Sequence, residues 1–157
     1  MKTICFGVLT YNRQDLLPGL VAGVVPSAVQ HCMVINNGAP ARMTEFAAAN
    51  PAWEIVNLDN TGCCGGFNEM FRRLADYDVV ILCCDDITFP PGEFAKFVTQ
   101  IQAAGPAQIL LGFEYACASF PREAVALIGT FDENYWPGTH ADWDYSRRAF
   151  LLGVPPK

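Results

Sequence analysis

The sequence predicts an α/β domain with a mostly parallel central sheet. Apolar runs typical of buried strands alternate along the chain with segments of helical period. The strand runs are continuous rather than alternating, which is expected for a sheet covered by helices on both faces. The chain has 157 residues, of which 52% are hydrophobic and 17% charged, so it can bury one core. We therefore expect a single domain over residues 1–157.

Six short apolar runs predict the strands. They are rich in β-branched and aromatic side chains, which favour the extended conformation. In chain order the predicted strands are Thr3–Leu9, His31–Ile35, Trp53–Leu58, Val79–Cys84, Gln108–Phe113 and Tyr115–Ser119.

The segments between these runs place apolar side chains three or four residues apart, which indicates amphipathic helices. Pro18 is compatible only with the first turn of the first helix, and Asn50-Pro51 ends the second. The predicted helices are Asp15–Val25, Thr44–Ala49, Gly65–Ala75, Glu93–Ala104, Arg122–Ile128 and Asp142–Leu152.

Polar residues follow the first four predicted strands, at the point where each strand ends. Thr10, Tyr11, Asn12 and Arg13 follow the first, Asn36 the second, Asp59 and Asn60 the third, and Asp85 with Asp86 the fourth. Ligands of open α/β sheets bind outside the carboxyl ends of the strands. Four successive strands that deliver polar residues to one edge therefore predict a binding site there.

Net charge and composition limit which partners the chain is expected to bind and in which cellular compartment it is expected to lie. The net charge is −6 and the isoelectric point is near 4.7, so non-specific nucleic-acid binding is not expected. The N-terminus lacks a secretory signal pattern, and no apolar run is long enough for a transmembrane helix. We expect a soluble, cytoplasmic chain.

The cysteines also favour a cytoplasmic chain. Their number, seven, is odd, and none are spaced as Cys-x-x-Cys, which indicates buried thiols in a reducing compartment. A zinc site built from the two adjacent cysteine pairs and His140 is the alternative. Neighbouring strand residues point to opposite faces of a sheet, so neither pair chelates a metal easily.

Asp85 and Asp86 leave the fourth apolar run with no lysine or arginine beside them. Two such carboxylates repel each other unless a cation intervenes. Mg²⁺ and Mn²⁺ prefer carboxylate oxygens and keep open positions for phosphates. We predict that Asp86 and Asp85 bind Mn²⁺ or Mg²⁺, with His140 as a further candidate ligand. An ordinary turn or helix cap is the alternative.

Two further segments carry candidate site residues. Asn60 and Gly62 open a glycine-rich turn, in which backbone amides can approach a phosphate or sugar, although alone a tight turn explains it better. Asp142 and Asp144 begin the last helix, where the helix dipole favours negative charge. That role suffices for Asp144, whereas Asp142 could also accept a proton from a substrate hydroxyl.

Six short motifs follow one another along nearly the whole chain. They are Thr10-Tyr11-Asn12-Arg13, Asn36-Asn37-Gly38, Asn60-x-Gly62 with Gly66 and Asn68, Asp85-Asp86, Gly129-x-Phe131-Asp132-Glu133, and Asp142-x-Asp144 with Arg147. In this order they resemble glycosyltransferase family 2. Among its branches the chain is most similar to the rhamnosyltransferase-like one, at minimal length. The resemblance implies the GT-A fold, a Rossmann-like three-layer sandwich.

The resemblance implies an inverting, divalent-metal-dependent glycosyltransferase. Such an enzyme moves a sugar from a nucleotide-diphosphate donor, here a UDP- or dTDP-sugar by preference, to a hydroxyl of a carbohydrate or other acceptor. Asp142 matches the catalytic base and Asp86 the last metal-binding acid. Trp136 and Trp143 are candidate sugar-stacking platforms, with core or rim packing as the alternative. The donor-binding positions would be Thr10, Tyr11, Asn12, Arg13, Asn36, Asn60, Gly62 and Asp85.

Three departures from the family pattern leave a second hypothesis open. Asn36, Cys84 and Ala141 stand where the family usually has acids. A catalytically weak or inactive nucleotide-sugar-binding module would tolerate all three. A nucleotidyltransferase ranks last, because no glycine-and-basic loop lies near the N-terminus. Association into a homo-oligomer is compatible with either hypothesis.

Overall fold

The computed structural model describes all residues, 1–157, as alternating strands and helices. The strands are β1 (Ile4–Thr10), β2 (His31–Asn36), β3 (Trp53–Asn57), β4 (Val79–Cys84), β5 (Leu110–Phe113) and β6 (Cys117–Pro121). The α-helices are α1 (Leu17–Gly23), α2 (Thr44–Ala49), α3 (Gly62–Arg73), α4 (Glu93–Ala103), α5 (Arg122–Ile128) and α6 (Ala141–Leu151). Two 3₁₀ turns, Pro26–Ala28 and Pro40–Met43, complete the regular structure.

The six strands form one sheet in the order β3-β2-β1-β4-β6-β5. The pairs β1–β2, β2–β3 and β1–β4 are parallel, whereas β6 runs antiparallel to both of its neighbours. Only three residues, 114–116, separate β5 from β6, and a connection of that length can join only antiparallel strands. The predicted mostly parallel α/β sheet is confirmed.

Helices cover both faces of this sheet. On one face α1, α2 and α4 pack Leu17, Phe46 and Phe94 against one set of strand side chains. On the other face α3, α5 and α6 contribute the second buried cluster, which includes Phe71 and Tyr145. The two clusters contain 21 buried residues each, so the cores on the two faces of the sheet are of similar size. The expected three-layer sandwich is therefore confirmed, because strand side chains alternate between the two faces.

Most predicted elements have their expected positions, and the differences lie at their ends. The helix α3 begins at Gly62, three residues before the prediction, so its glycines lie inside the first helical turns. A Cβ on Gly66 would collide with the Leu9 side chain of β1, which explains the glycine there. The strand β6 begins at Cys117 rather than Tyr115, because the chain turns at Glu114, whose φ is +48°. None of the helices has the length and apolar character that a bilayer crossing requires.

Asp78 ties β1 to β4 at the edge of the sheet opposite the predicted site. Its carboxylate accepts hydrogen bonds from the Thr3 amide at 2.8 Å and the Thr3 hydroxyl at 2.9 Å, and lies 3.3 Å from Arg122 Nη2. The bonds from the Thr3 amide and hydroxyl, assisted by the Arg122 charge, lower the pKa of Asp78. The folded state therefore favours the ionised carboxylate.

We expect Asp78→Asn to destabilise the fold at neutral pH and to make little difference in strong acid. A carboxyl group whose pKa is lower in the folded state stabilises the fold above its unfolded pKa of about 3.9, and this contribution is lost as the pH falls through the folded pKa. Urea unfolding at about pH 7 and about pH 2.5 measures the difference. Asp76→Asn, an exposed aspartate in the same turn, is the control. Equal urea midpoints for both variants at both pH values would contradict the prediction.

Candidate functional site

The parallel register brings the polar strand ends together. Thr10 at the end of β1 pairs with Asn36 at the end of β2, and Leu9 pairs with Cys84 at the end of β4. Asp85 follows Cys84 directly. The predicted edge therefore exists, and it gathers side chains from three strands that are far apart in the sequence.

A cleft of about 540 Å³ opens beside the ends of β1, β2 and β3. Three of the predicted donor-binding residues, Tyr11, Asn12 and Asn60, line it. Sequence reasoning missed Asn57, which lay inside a predicted strand, and assigned no role to Asp59. The remaining lining residues are Asn37, Gly38, Ala39, Pro40 and Leu58.

Asn36 lies beneath the floor of this cleft and is fully buried. Its amide nitrogen donates to Asn57 Oδ1 at 2.8 Å, and its oxygen accepts from the Gly38 amide at 3.1 Å and from Gln14 at 3.3 Å. The structure therefore does not present Asn36 to a ligand directly. It bonds the side chain of Asn57, a residue that lines the cleft.

Thr10 is also fully buried, and its hydroxyl donates to Asp85 Oδ2 at 2.6 Å. The hydroxyl thus orients the Asp85 carboxylate, and its burial leaves Thr10 without surface exposed at the cleft. Burial raises the pKa of Asp85, and the negative charge of Asp86 raises it further, although the Thr10 bond and the charge of Arg13 act in the opposite direction. A cation at this point would relieve the repulsion between the two carboxylates.

Asp86 is exposed, and neither Asp85 nor Asp86 takes part in an ion pair. No group of three or more histidine, cysteine, aspartate or glutamate side chains has an arrangement that could hold a metal ion. His140 is thus not brought together with the two aspartates, and the cysteines form no zinc site. Two unpaired carboxylates still fit Mg²⁺ or Mn²⁺, because such ions are often held by one or two carboxylates plus substrate phosphates.

Asp142 lies half-buried in the first turn of α6, and its charge contributes, after burial and Cys64, to the raised pKa of the Cys63 thiol at the start of α3. Its charge contributes, after burial, to the raised pKa of the Tyr115 hydroxyl. Tyr115 precedes Ala116, whose carbonyl accepts the Cys84 amide at 2.8 Å. Asp142 is therefore close to the chain segment that pairs with the residue before Asp85.

Asp144, two residues after Asp142, has a different environment. Asp144 Oδ2 lies 2.8 Å from both Nε and Nη2 of Arg148. Arg148 also donates to the backbone carbonyls of Ile128 and Thr130. Asp144 is thus a structural residue, and it secures α6 to the end of α5.

The segment 129–140 connects α5 to α6 and packs on α3. Asn68 binds the Phe131 backbone with two hydrogen bonds of 2.9 Å, and the Cys63 amide donates to the Pro137 carbonyl at 2.6 Å. The Asn60 side chain accepts the Gly62 amide at 3.1 Å. Gly62 has φ +73°, a conformation that favours glycine, and it lies buried under this segment rather than facing the cleft.

Comparison with solved structures identifies the fold. A mannosyltransferase from Pyrobaculum calidifontis, in complex with GDP-Man and Mn²⁺, superposes with a TM-score of 0.76 at 16% identity over 99% of this chain and 54% of the other. This chain has the GT-A fold. TarS of S. aureus (residues 1–349) matches with a TM-score of 0.72 at 10% identity, over 93% of this chain and 55% of its own.

A third structure with the GT-A fold, GalNAc-T7 with UDP, GalNAc and Mn²⁺, matches with a TM-score of 0.72 at 9% identity over 93% of this chain and 41% of the other. The GT-A domain described here spans about half the length of the structures it matches. No protein-family profile and no curated protein sequence matches the chain. At these identities the structural likeness establishes the fold.

Proposed function

We propose that this chain is an inverting, divalent-metal-dependent glycosyltransferase of the family 2 type, similar to its rhamnosyltransferase-like branch. The observation that carries the proposal is that the charge of Asp142 acts on Cys63 and on Tyr115, which both lie near Cys84, the residue before the unpaired Asp85–Asp86 carboxylates. In such an arrangement one acid can act on an acceptor while two others face a diphosphate. The nucleotide-sugar glycosyltransferases with the same fold support the assignment.

The cleft suits the nucleoside of the donor. Tyr11 is exposed at its rim and offers a ring on which a base can stack. Asn57, held by Asn36, offers an amide N–H to a ring carbonyl of uracil or thymine. We therefore propose a UDP- or dTDP-sugar donor, with its diphosphate directed toward Arg13 and Asp85.

Asp86 and Asp85 would hold the cation. A bound Mn²⁺ or Mg²⁺ supplies electrostatic stabilisation of the negative charge that develops on the leaving diphosphate. Thr10 keeps Asp85 oriented through its 2.6 Å hydrogen bond. Arg13 adds a positive charge near the same group, since it acts on the pKa of Asp85.

Asp142 accepts the proton of the acceptor hydroxyl as that oxygen attacks the anomeric carbon. The new carbon–oxygen bond forms on the face opposite the leaving group, while the bond from that carbon to the diphosphate oxygen breaks. The anomeric configuration is thereby inverted in one displacement, through an oxocarbenium-like transition state. Asp142 has no ion-pair partner, which leaves its oxygens available as a base.

A thermal-shift panel of UDP-, dTDP- and GDP-sugars, each with and without Mn²⁺, tests the donor and the metal. We expect one nucleotide class to raise the melting temperature only with Mn²⁺, by several degrees at about 100 times its Kd, where binding stabilises by about 2.7 kcal/mol. Asp86→Ala should abolish this response, and Asp76→Ala, an exposed aspartate outside the site, should retain it. An undiminished response of Asp86→Ala would remove its metal role.

Cys84 favours a second candidate, a nucleotide-sugar-binding module with little or no turnover. Burial, followed by the charges of Cys63, Asp86 and Asp85, raises the pKa of Cys84 to about 12. The thiol is therefore neutral at physiological pH and adds no charge for a hard cation. A binding module would give the same thermal shifts as an enzyme and would release no nucleoside diphosphate from any donor.

A further inference from the structure

The indole of Trp136 packs directly on the backbone at the start of α3. A Cβ built on Gly62 would lie 3.3 Å from both Cδ1 and Nε1 of Trp136, so the absence of a side chain at Gly62 lets the indole approach the backbone closely. Despite this contact, Trp136 remains 61% exposed. One part of the indole is therefore fixed against the protein while most of its surface faces solvent.

The segment that carries Trp136 is fixed by short contacts on both sides of it. Pro137 accepts the Cys63 amide at 2.6 Å, and Gly138 passes so close to Cys63 that a Cβ there would lie 2.5 Å from that of Cys63. Asn68 holds Phe131, upstream in the same segment, with two bonds of 2.9 Å. The indole is thus pre-organised, and a ligand would bind it without a large ordering cost.

The same contacts connect the Trp136 segment to the proposed catalytic base and to the cleft. The Ala141 amide donates to the Gly138 carbonyl at 3.3 Å, which ties the Trp136 segment to the first turn of α6, where Asp142 lies. The charge of Asp142 contributes, after burial and Cys64, to the raised pKa of the thiol of Cys63, whose amide bonds Pro137. Gly62, which the indole contacts, is bonded to the side chain of Asn60, which lines the cleft.

We propose that Trp136 is the stacking platform for a pyranose ring of a saccharide acceptor, which names the acceptor class and rests on the proposed function. A pyranose has an apolar C–H face that loses water on an indole, and its C–H groups are attracted to the negative face of the ring system. Its hydroxyl groups point outward at the ring edge. Exposed polar residues are available nearby in the chain: Asn134 and Thr139 flank Trp136, and Thr61 precedes Gly62, which the indole contacts. An acceptor without such a C–H face would gain little here.

Titration with free saccharides tests the platform. The probes are the methyl glycosides of glucose, galactose, mannose and rhamnose and their common disaccharides, added in the presence of UDP or GDP and Mn²⁺. We expect at least one saccharide to shift the indole N–H resonance of Trp136, and Trp136→Ala to weaken its binding about tenfold or more, as truncation of a central tryptophan does at other interfaces. Phe150→Ala, which removes an exposed aromatic ring at the far end of α6, should bind like wild type.

Two results would overturn the proposal: binding of no saccharide by the wild-type chain, or equal affinity of Trp136→Ala and wild type. A nucleotide that alone shifts the Trp136 indole as strongly as any saccharide would also overturn it, since the ring would then serve the base. Nucleotide affinity, measured on the same variants, should be unchanged in Trp136→Ala. Saccharide binding at Trp136 without any nucleotide binding would instead refute the proposed function and leave the platform intact.

Discussion

Asp142→Asn is expected to lower the rate of sugar transfer about 10²–10⁴-fold, the range that a positioned general base contributes. Asparagine has nearly the same shape as aspartate, but its amide cannot take the proton of the acceptor hydroxyl. Donor binding should remain close to wild type, because Asp142 lies on α6 and the cleft is lined from the ends of β1, β2 and β3. Release of nucleoside diphosphate in the presence of Mn²⁺, with and without acceptor, measures the rate, and calorimetry measures donor affinity.

Asp144→Asn is the matched control, because it makes the same change two residues along the same helix. Asp144 is paired with Arg148, so this variant should lose stability while keeping most of the transfer rate. If both variants lost the rate equally, the loss would come from a disturbed helix α6 and not from a missing base. If the wild-type chain bound donor and released no nucleoside diphosphate, the chain would be a binding module.

Phe131→Ala is expected to cost about 3–5 kcal/mol of unfolding free energy, the usual range for a buried phenylalanine. The Phe131 ring packs against four aromatic rings at centroid distances between 4.7 and 5.9 Å, those of Phe67, Phe71, Phe120 and Tyr145. These rings come from α3, α6 and β6, so the cavity would open where these two helices meet the sheet. The surrounding backbone belongs to regular elements, which limits how far the cavity can collapse.

Urea unfolding measures this loss. Phe113→Ala, at the exposed end of β5 with 66% of the residue accessible, is the control and should change stability by less than about 0.5 kcal/mol. Because Phe131 begins the segment that leads to Trp136 and Asp142, the Phe131 variant should also lose activity at temperatures where it is still mostly folded. A loss of stability similar to that of the Phe113 variant would contradict the packing described here.

Much of the fold could be predicted from residue patterns because its strands are buried on both faces. The apolar run Val79–Cys84 became β4 without any shift of its ends, and the segments Thr44–Ala49 and Arg122–Ile128 became α2 and α5 in the same way. Glycine was harder to interpret. The pattern around Gly62 indicated a turn before a helix that begins at Gly65, whereas α3 already begins at Gly62; Gly66, inside the helix as predicted, packs on Leu9 of β1.

The candidate site was predictable as an edge but not as an arrangement of atoms. Strand ends identified Tyr11, Asn12, Asn60, Asp85 and Asp86, because parallel strands deliver their carboxyl ends to one side. Burial then separated these residues from Thr10 and Asn36, which lie beneath the surface and orient their neighbours. Asn57 was not predicted, because it lay inside the predicted strand Trp53–Leu58, and only the structure shows that it bonds Asn36 and lines the cleft.

The sequence by itself determined the α/β class, the strand and helix segments, and the edge at which polar side chains gather, because these follow from local periodicity and from the direction of parallel strands. Only the tertiary structure showed which side chains reach the cleft. It also showed that Asp144 forms an ion pair with Arg148 while Asp142 has no ion-pair partner, and that the Trp136 indole packs on Gly62. The Asp144–Arg148 pair is a local i, i+4 contact, but the cleft lining and the position of Trp136 depend on contacts between residues far apart in the chain. No local pattern encodes those distant contacts.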